Sequence, residues 1–118
     1  FANLISAKVQ GRRESYRLAG TVNQNGEPRI VSLDGYSVDA IPAGHMLVVP
    51  HIDRPRIVGP VSMIIGDGGI NIAGMQVGRR ERGGEAVILM SIDSAVPREA
   101  LKAIRQVDGV LDVRYIHL

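Results

Sequence analysis

The spacing of hydrophobic and polar positions along this chain changes near residue 44. Before that point, short apolar runs alternate with turn residues, and this spacing predicts strands only. Asn25-Gly26 and Asp34-Gly35 are pairs that favour tight turns, so they are expected to join neighbouring strands. The pattern predicts an antiparallel β-meander with strands at Leu4–Val9, Tyr16–Val22, Arg29–Leu33 and Tyr36–Ile41.

The second part of the chain alternates between strand and helix patterns. Its first helix is predicted at Val58–Gly66, with Pro60 in the first turn and Gly68-Gly69 as the stop. The apolar face of that helix, at helical spacing, is Ile57, Val61, Ile64 and Ile65. A second helix opens at Pro97 and ends at Gly109, with an apolar stripe at Val96, Ala100, Leu101, Ile104 and Val107. The predicted strands are Met46–Val49, Ile70–Arg80, Glu85–Asp93 and Val110–Ile116.

This βαββαβ order predicts an α+β, ferredoxin-like unit, with two helices on one face of a four-stranded antiparallel sheet. We therefore expect two regions, a β-rich partial domain at residues 1–43 and a ferredoxin-like domain at residues 44–118. In this topology Ile70–Arg80 is an edge strand, whose unpaired backbone groups favour pairing with a second copy of the chain. The sequence therefore predicts a homo-oligomer formed through this edge strand and a helix.

Composition excludes several classes of function. Apolar residues make up 45% of the 118 residues, with one Phe, no Trp and no Cys, so the core is aliphatic and cysteine-based chemistry is absent. The lack of cysteine fits a reducing, cytoplasmic compartment. No apolar run reaches the roughly 18 residues that a membrane-spanning helix needs. The net charge of +2 and the scarcity of aromatic residues argue against a nucleic-acid-binding function. Because the chain begins with Phe1, we expect it to be a piece of a longer protein.

Polar groups that suit a small zwitterion flank the first helix. His51 and Asp53 end the preceding strand on the same side, and Asn71 opens the next strand. The N–H groups near Val58 and Gly59 begin the helix and suit an anion. Asp53 would then bind an ammonium, His51 a hydroxyl, and Asn71 with the helix start a carboxylate. The alternative from spacing alone is that Asp53 caps the helix or turn and His51 is a surface residue.

Catalytic and metal-binding patterns are not found in the sequence. The glycines Gly66, Gly68 and Gly69 follow a helix instead of joining a strand to one, which indicates a helix cap and no dinucleotide fingerprint. The three histidines lack metal-ligand spacing, and no serine has a nucleophile motif. The arginine-rich segment 79–82 is expected to be an exposed hairpin tip. We therefore assign no catalytic residues, no metal and no cofactor to this chain.

Two motifs resemble the ligand-binding core of ACT domains, which are small regulatory modules that sense amino acids. They are Asp53-Arg54-Pro55 and Gly69-Ile70-Asn71-Ile72, at the separation found in that family. In the serine-sensing members, the resemblance implies effector contacts from His51, Asp53 and Asn71, with two domains side by side and L-serine bridging them. Arg56 departs from the family's glycine after the proline, so the backbone there is strained if it needs positive φ.

The first 43 residues narrow the resemblance to the C-terminal regulatory region of D-3-phosphoglycerate dehydrogenases. The segments that are similar to their intervening domain are Asn3-Leu4-Ile5-Ser6, Ala19-Gly20-Thr21-Val22, Pro28-Arg29-Ile30-Val31 and Asp34-Gly35-Tyr36. The resemblance implies a parent oxidoreductase that uses NAD and feedback control by L-serine. It also implies an anion site at Arg29, for which the alternative is a solvated strand residue. The alternatives are the regulatory part of an L-serine dehydratase subunit, a ligand-free dimerisation domain, or a sensor of glycine or a branched-chain amino acid.

Overall fold

The strands among the described residues form two four-stranded sheets in the computed structural model. The described residues are 3–10, 15–22, 24–33, 35–41, 43–79 and 84–118. The chain divides into two compact units, Phe1–Pro42 and Ala43–Leu118. Some predicted features lie partly outside the described residues. They are the turn at Asp34, the boundary between the two regions at Pro42, and the strand end and hairpin at residues 80–83.

The first unit is an antiparallel meander in which each strand pairs with the next. Its strands are β1 (Asn3–Gln10), β2 (Ser15–Val22), β3 (Pro28–Leu33) and β4 (Tyr36–Ala40), in the order β1-β2-β3-β4. Gly26 and Gly35 take φ angles of 79° and 82°, which explains why glycine stands in each turn. The predicted meander is confirmed, and the register of β2 against β3 shifts between Ala19 and Gly20.

The second unit has the predicted βαββαβ order. Its elements are β5 (His45–Ile52), α1 (Val58–Asp67), β6 (Ile72–Arg79), β7 (Glu85–Ile92), α2 (Arg98–Arg105) and β8 (Arg114–His117). The sheet order is β6-β7-β5-β8 with every pairing antiparallel, so β6 lies at an edge as predicted. This is the ferredoxin-like α+β fold that the pattern predicted.

The core of the second unit lies between the sheet and the two helices. Alternate residues of β5, Leu47 and Val49, are fully buried there against the predicted apolar faces of α1 and α2. The helix residues buried in this cluster are Val61, Ile65, Ala100 and Ile104. Neither α1 nor α2, the helices among the described residues, has the length and apolar character that crossing a bilayer requires.

The last strand is shorter than predicted. The prediction placed it at Val110–Ile116, whereas β8 covers Arg114–His117 and Val110 makes only an isolated bridge to His51. The neighbouring strand carries Pro50, which has no N–H to continue a regular ladder. Its carbonyl still accepts from the Leu111 N–H at 2.9 Å, and the Asp112 side chain binds the Val113 N–H at 2.8 Å. The segment before Arg114 therefore follows the sheet without being a regular strand.

Candidate functional site

His51 lies buried at the end of β5, on the face of the sheet that carries the helices. It follows Leu47 and Val49 at two-residue spacing, so its ring points to the same side as these core residues. The residue is only 2% exposed, and its Nδ1 atom lies 2.7 Å from the carbonyl oxygen of Ile52. A carbonyl only accepts hydrogen bonds, so Nδ1 carries the proton and donates.

The other ring nitrogen of His51 is the unusual feature. Nε2 is buried and has no hydrogen-bond partner among the described residues. With the proton on Nδ1 of the neutral ring, Nε2 presents a lone pair that accepts a hydrogen bond. Buried polar atoms are nearly always paired, and an unpaired one calls for a specific explanation. The interpretation of His51 as an ordinary surface residue is therefore wrong.

Asp53 lies just beyond the end of β5 and forms an ion pair with Arg79 at the end of β6. Arg79 Nε lies 3.0 Å from Asp53 Oδ2, and Nη2 donates to Oδ1 at 3.4 Å. The register explains the proximity, because His51 pairs with Ala86, and Ala86 pairs with Arg79 on the next strand. Sequence reasoning placed Arg79 at an exposed hairpin tip and missed this contact, since only the register brings the two residues together.

The start of α1 faces this end of the sheet without a side-chain cap. Ile57, and not Asp53, is the N-cap residue of α1, and it makes no side-chain cap hydrogen bond. The N–H groups of the first turn, at Val58 and Gly59, are therefore suited to an anion. Arg56, the residue before Ile57, has a φ of 66°. The backbone therefore does need a positive φ at this position, and the expected strain at an arginine in place of glycine is confirmed.

The turn that follows α2 contacts both the end of β5 and the loop before α1. The Ile52 N–H donates to the Gly109 carbonyl at 2.8 Å, and Arg54 Nη2 lies 3.1 Å from Asp108 Oδ2. Gly109 has a φ of 97°, and a Cβ added there would lie 2.7 Å from Ile57 Cδ1. Glycine is therefore required at Gly109 by both its backbone conformation and the close approach of the loop.

Asn71 lies at the opposite end of the same sheet, which corrects the expectation that it shares one cradle with His51. Ile72 pairs with Ile92, and Ile92 pairs with His45 at the start of β5. The distance along β5 from His45 to His51 is roughly 20 Å at 3.3 Å per residue. The reason is topological: α1 returns the chain across the sheet, so β6 starts where β5 starts. The Asn71 Nδ2 atom donates to Asp93 Oδ2 at 2.9 Å.

The edge formed by β6 and α1 exposes apolar side chains. Met75 and Val77 pair with the core residues Met90 and Ile88, so they point to the helix side of the sheet. Met75 is 43% exposed, Val77 46%, and Met63 on α1 65%. The Ser62 hydroxyl lies 3.8 Å from Met75 Sδ, which ties the helix to the edge strand. These residues, Met63, Met75 and Val77, are called the edge strip below.

The glycine cluster after α1 is a helix end, as predicted. The Gly69 N–H donates to the Gly66 carbonyl and the Ile70 N–H to the Ile65 carbonyl, while Gly69 has a φ of 74°. These groups are used in ending the helix, so they form no cradle for the phosphates of a dinucleotide.

Two of the three histidines lie away from His51 within the second unit. His45 stacks on His117 with ring centroids 4.2 Å apart, and its Nδ1 contacts the Tyr115 hydroxyl, all at the opposite end of β5 from His51. The three histidines therefore do not converge. Arg29, the expected anion site of the first unit, is bound to Asp39, with its Nη2 2.6 Å from Asp39 Oδ1.

Comparison with known sequences identifies the second unit. Residues 45–109, more than half of the chain, match the ACT domain. The chain belongs to the ACT-domain family. The segment that matches begins at the first residue of β5 and includes both helices, so it contains the His51 end, the Asn71 end and the edge strip of this ACT domain. The sequence prediction of an ACT domain is thereby confirmed.

Longer relatives match the whole chain. A D-3-phosphoglycerate dehydrogenase of Methanocaldococcus jannaschii is 40% identical over 118 residues, which is 100% of this chain and 22% of the relative. The enzyme of the same name from Bacillus subtilis is 37% identical with the same coverage, and that of Archaeoglobus fulgidus is 35% identical over 120 residues, 23% of its length. The resemblance to these dehydrogenases is confirmed over the full chain, which spans about a fifth of the length of the relatives.

Proposed function

We propose that this ACT domain binds L-serine and is the regulatory, dimer-forming part of a D-3-phosphoglycerate dehydrogenase. The observation that carries the proposal is the buried, unpaired Nε2 of His51. Leaving such an acceptor without a donor costs about 1–3 kcal/mol in the free chain. A ligand hydroxyl that donates to Nε2 removes this cost, and a hydroxyl is what distinguishes serine from glycine, alanine and valine.

The charged groups of serine have partners at the same end of the sheet. Asp53, with its side chain only 11% exposed, binds the ammonium group. The N–H groups of Val58 and Gly59 donate to the carboxylate at the positive end of the α1 dipole. The Nε2 atom of His51 then accepts a hydrogen bond from the hydroxyl. This assignment keeps the expected roles of His51, Asp53, Val58 and Gly59.

Asn71 completes the site only from a second copy of the chain. Antiparallel pairing of β6 with its counterpart in another copy places the start of one strand beside the end of the other. Asn71 of the second copy then lies near Arg79 and Asp53, where its amide binds the ligand. The edge strip supports this arrangement, since pairing of two copies covers Met63, Met75 and Val77, and exposed apolar clusters favour protein interfaces.

A ligand held between two copies couples binding to regulation. Serine that contacts both chains stabilises one dimer geometry over others and so changes the state of attached domains. Residues 1–43 would belong to the intervening domain of the enzyme, with Arg29 at an anion site. Oxidation of 3-phosphoglycerate with NAD would be carried out by another part of a longer, cytoplasmic protein, in which L-serine acts as feedback inhibitor of its own synthesis.

Complementation between two defective variants tests the shared site. His51→Ala and Asn71→Ala should each abolish binding of L-serine, measured by calorimetry, without unfolding the chain. After the two variants are refolded together, each mixed dimer contains one intact site, and binding should return. The matched control mixes His51→Ala with Asp53→Ala, which leaves no intact site. Unchanged binding by Asn71→Ala alone, or no recovery in the first mixture, would contradict the shared site.

One observation favours a second candidate, a dimerisation domain without an effector. Arg56 holds a left-handed backbone conformation immediately before α1, where a glycine would be unstrained and would leave the ligand loop open. An exposed arginine at this place is consistent with a binding site that has lost its ligand. In that case the chain would still dimerise through the edge strip, but no amino acid would bind.

A further inference from the structure

The ion pair between Asp53 and Arg79 presents opposite charges side by side at the His51 end of the sheet. We propose that Arg79 is a ligand-binding residue of this site and, together with the N–H groups at the start of α1, holds the carboxylate of the amino-acid effector while Asp53 holds its ammonium. The inference rests on the proposed function, and it adds a residue that neither the sequence motifs nor the family resemblance assigns. It also makes the site selective for zwitterions over uncharged or singly charged analogues.

The geometry leaves Arg79 able to bind a second anion. Its contact with Asp53 uses Nε and Nη2, one edge of the planar guanidinium group. An arginine side chain has five N–H donors, so the two contacts leave donors unused by this ion pair. The Arg79 side chain is 53% exposed, whereas that of Asp53 is 11% exposed. The carboxylate of Asp53 therefore fixes the direction of the guanidinium group, and part of the latter remains accessible.

The strand register fixes where this pair lies relative to the histidine. Arg79 and His51 are both opposite Ala86 on β7, and by alternation both point to the helix side of the sheet. Asp53 is anchored in the same place, because its N–H donates to the Gly84 carbonyl at 2.9 Å. The acceptor at His51 Nε2 and both charges therefore lie at one end of the sheet, on the face where α1 begins.

The chemistry of an α-amino acid matches this pair. Its ammonium and carboxylate are attached to one carbon, so they need an anion and a cation that are close neighbours. Arginine suits the second role because its planar fork matches a carboxylate in geometry and charge. In the free chain the two side chains neutralise each other, so the mostly buried Asp53 is not left as an isolated charge.

Binding measurements with two ligands test the assignment. The ligands are L-serine and L-serinamide, which keeps the ammonium and hydroxyl but has no carboxylate. The variants of the 118-residue chain are Arg79→Gln, which removes the charge at similar length, and Arg98→Gln, an exposed arginine on α2, as the matched control. Dissociation constants are measured by calorimetry, and circular dichroism shows that each variant is folded.

The expected result is selective for both the residue and the ligand. Arg79→Gln should weaken L-serine binding about tenfold or more, the effect of losing a charge-assisted hydrogen bond. Binding of L-serinamide should be unchanged or tighter, while Arg98→Gln should bind both ligands like the original chain. A third variant, Arg79→Lys, should recover part of the loss, because lysine keeps the positive charge but lacks the planar guanidinium group.

Two results overturn the inference in different ways. If Arg79→Gln binds L-serine as well as or better than the original chain, Arg79 only competes with the ammonium for Asp53, and the proposed function survives without it. If the original chain does not bind L-serine, the proposed function fails and this inference fails with it.

Discussion

Replacing His51 by leucine separates a ligand-binding histidine from a structural one. Leucine has a similar volume and no hydrogen-bonding group, so it fills the buried position at the end of β5 without an unpaired acceptor. A histidine that stabilises the fold should be costly to replace in this way. A histidine that is kept for a ligand should be replaceable without loss of stability in the free chain, although ligand binding disappears.

The contacts of His51 set the magnitude. Removing the buried, unpaired Nε2 relieves a cost of about 1–3 kcal/mol, while losing the 2.7 Å hydrogen bond from Nδ1 to the Ile52 carbonyl costs about 0.5–1.5 kcal/mol. The two effects oppose each other and the first is the larger. The free energy of unfolding of His51→Leu should therefore stay within about 1 kcal/mol of the original value or rise above it.

Urea denaturation measures this free energy, and calorimetry with L-serine measures binding on the same samples. His51→Leu should keep its stability and lose L-serine binding. A loss of more than about 2 kcal/mol in stability would show that the imidazole mainly holds the strand end, and would refute the reasoning. Undiminished L-serine binding by a stable His51→Leu variant would refute it equally.

Three further substitutions test other parts of the account. Gly109→Ala should lower the free energy of unfolding by about 2–4 kcal/mol in urea denaturation, because an alanine there is strained by the positive φ and overpacks the site. The control is Gly66→Ala, at a helical glycine where no described atom lies within 4 Å of the added Cβ. This control should raise the free energy of unfolding by about 0.5–1 kcal/mol. Equal effects of the two would contradict the contact with Ile57. Met75→Lys should weaken dimerisation at least about tenfold in analytical ultracentrifugation, because the two lysines would face each other near the two-fold axis of the proposed β6 pairing. The control Leu111→Lys, at another exposed apolar residue, should leave dimerisation unchanged. Arg56→Gly should raise the free energy of unfolding by about 1 kcal/mol through relief of the left-handed strain, and a decrease would show that the arginine side chain stabilises the loop.

The fold was largely predictable because hydrophobic spacing and glycine positions agree along the second unit. The apolar faces of both helices were identified from their spacing, and their buried members are those the pattern indicated. The start of the last strand was not predictable, because the ladder is interrupted at Pro50, which lies in the neighbouring strand β5. Sequence spacing within one segment carries no information about the ladder on its neighbour.

The relative positions of the candidate site residues were not predictable from the sequence. Spacing and resemblance identified His51, Asp53 and Asn71, yet the expectation of one cradle overlooked that α1 carries the chain back across the sheet. The pairing of Asp53 with Arg79 requires the register of three strands, and no local motif encodes it. Likewise, the alternation along β5 indicates the face that His51 occupies, but not that its Nε2 lacks a partner.

The central claim, that this ACT domain is a serine sensor, is tested most directly by its thermal midpoint with L-serine and with D-serine. Ligand at a hundred times its dissociation constant adds about 2.7 kcal/mol, a rise of roughly ten degrees for a chain of this size. This rise is expected with L-serine, because only that enantiomer can place its hydroxyl on His51, its ammonium on Asp53 and its carboxylate at the start of α1 at the same time. No rise with L-serine, or an equal rise with both enantiomers, would contradict it.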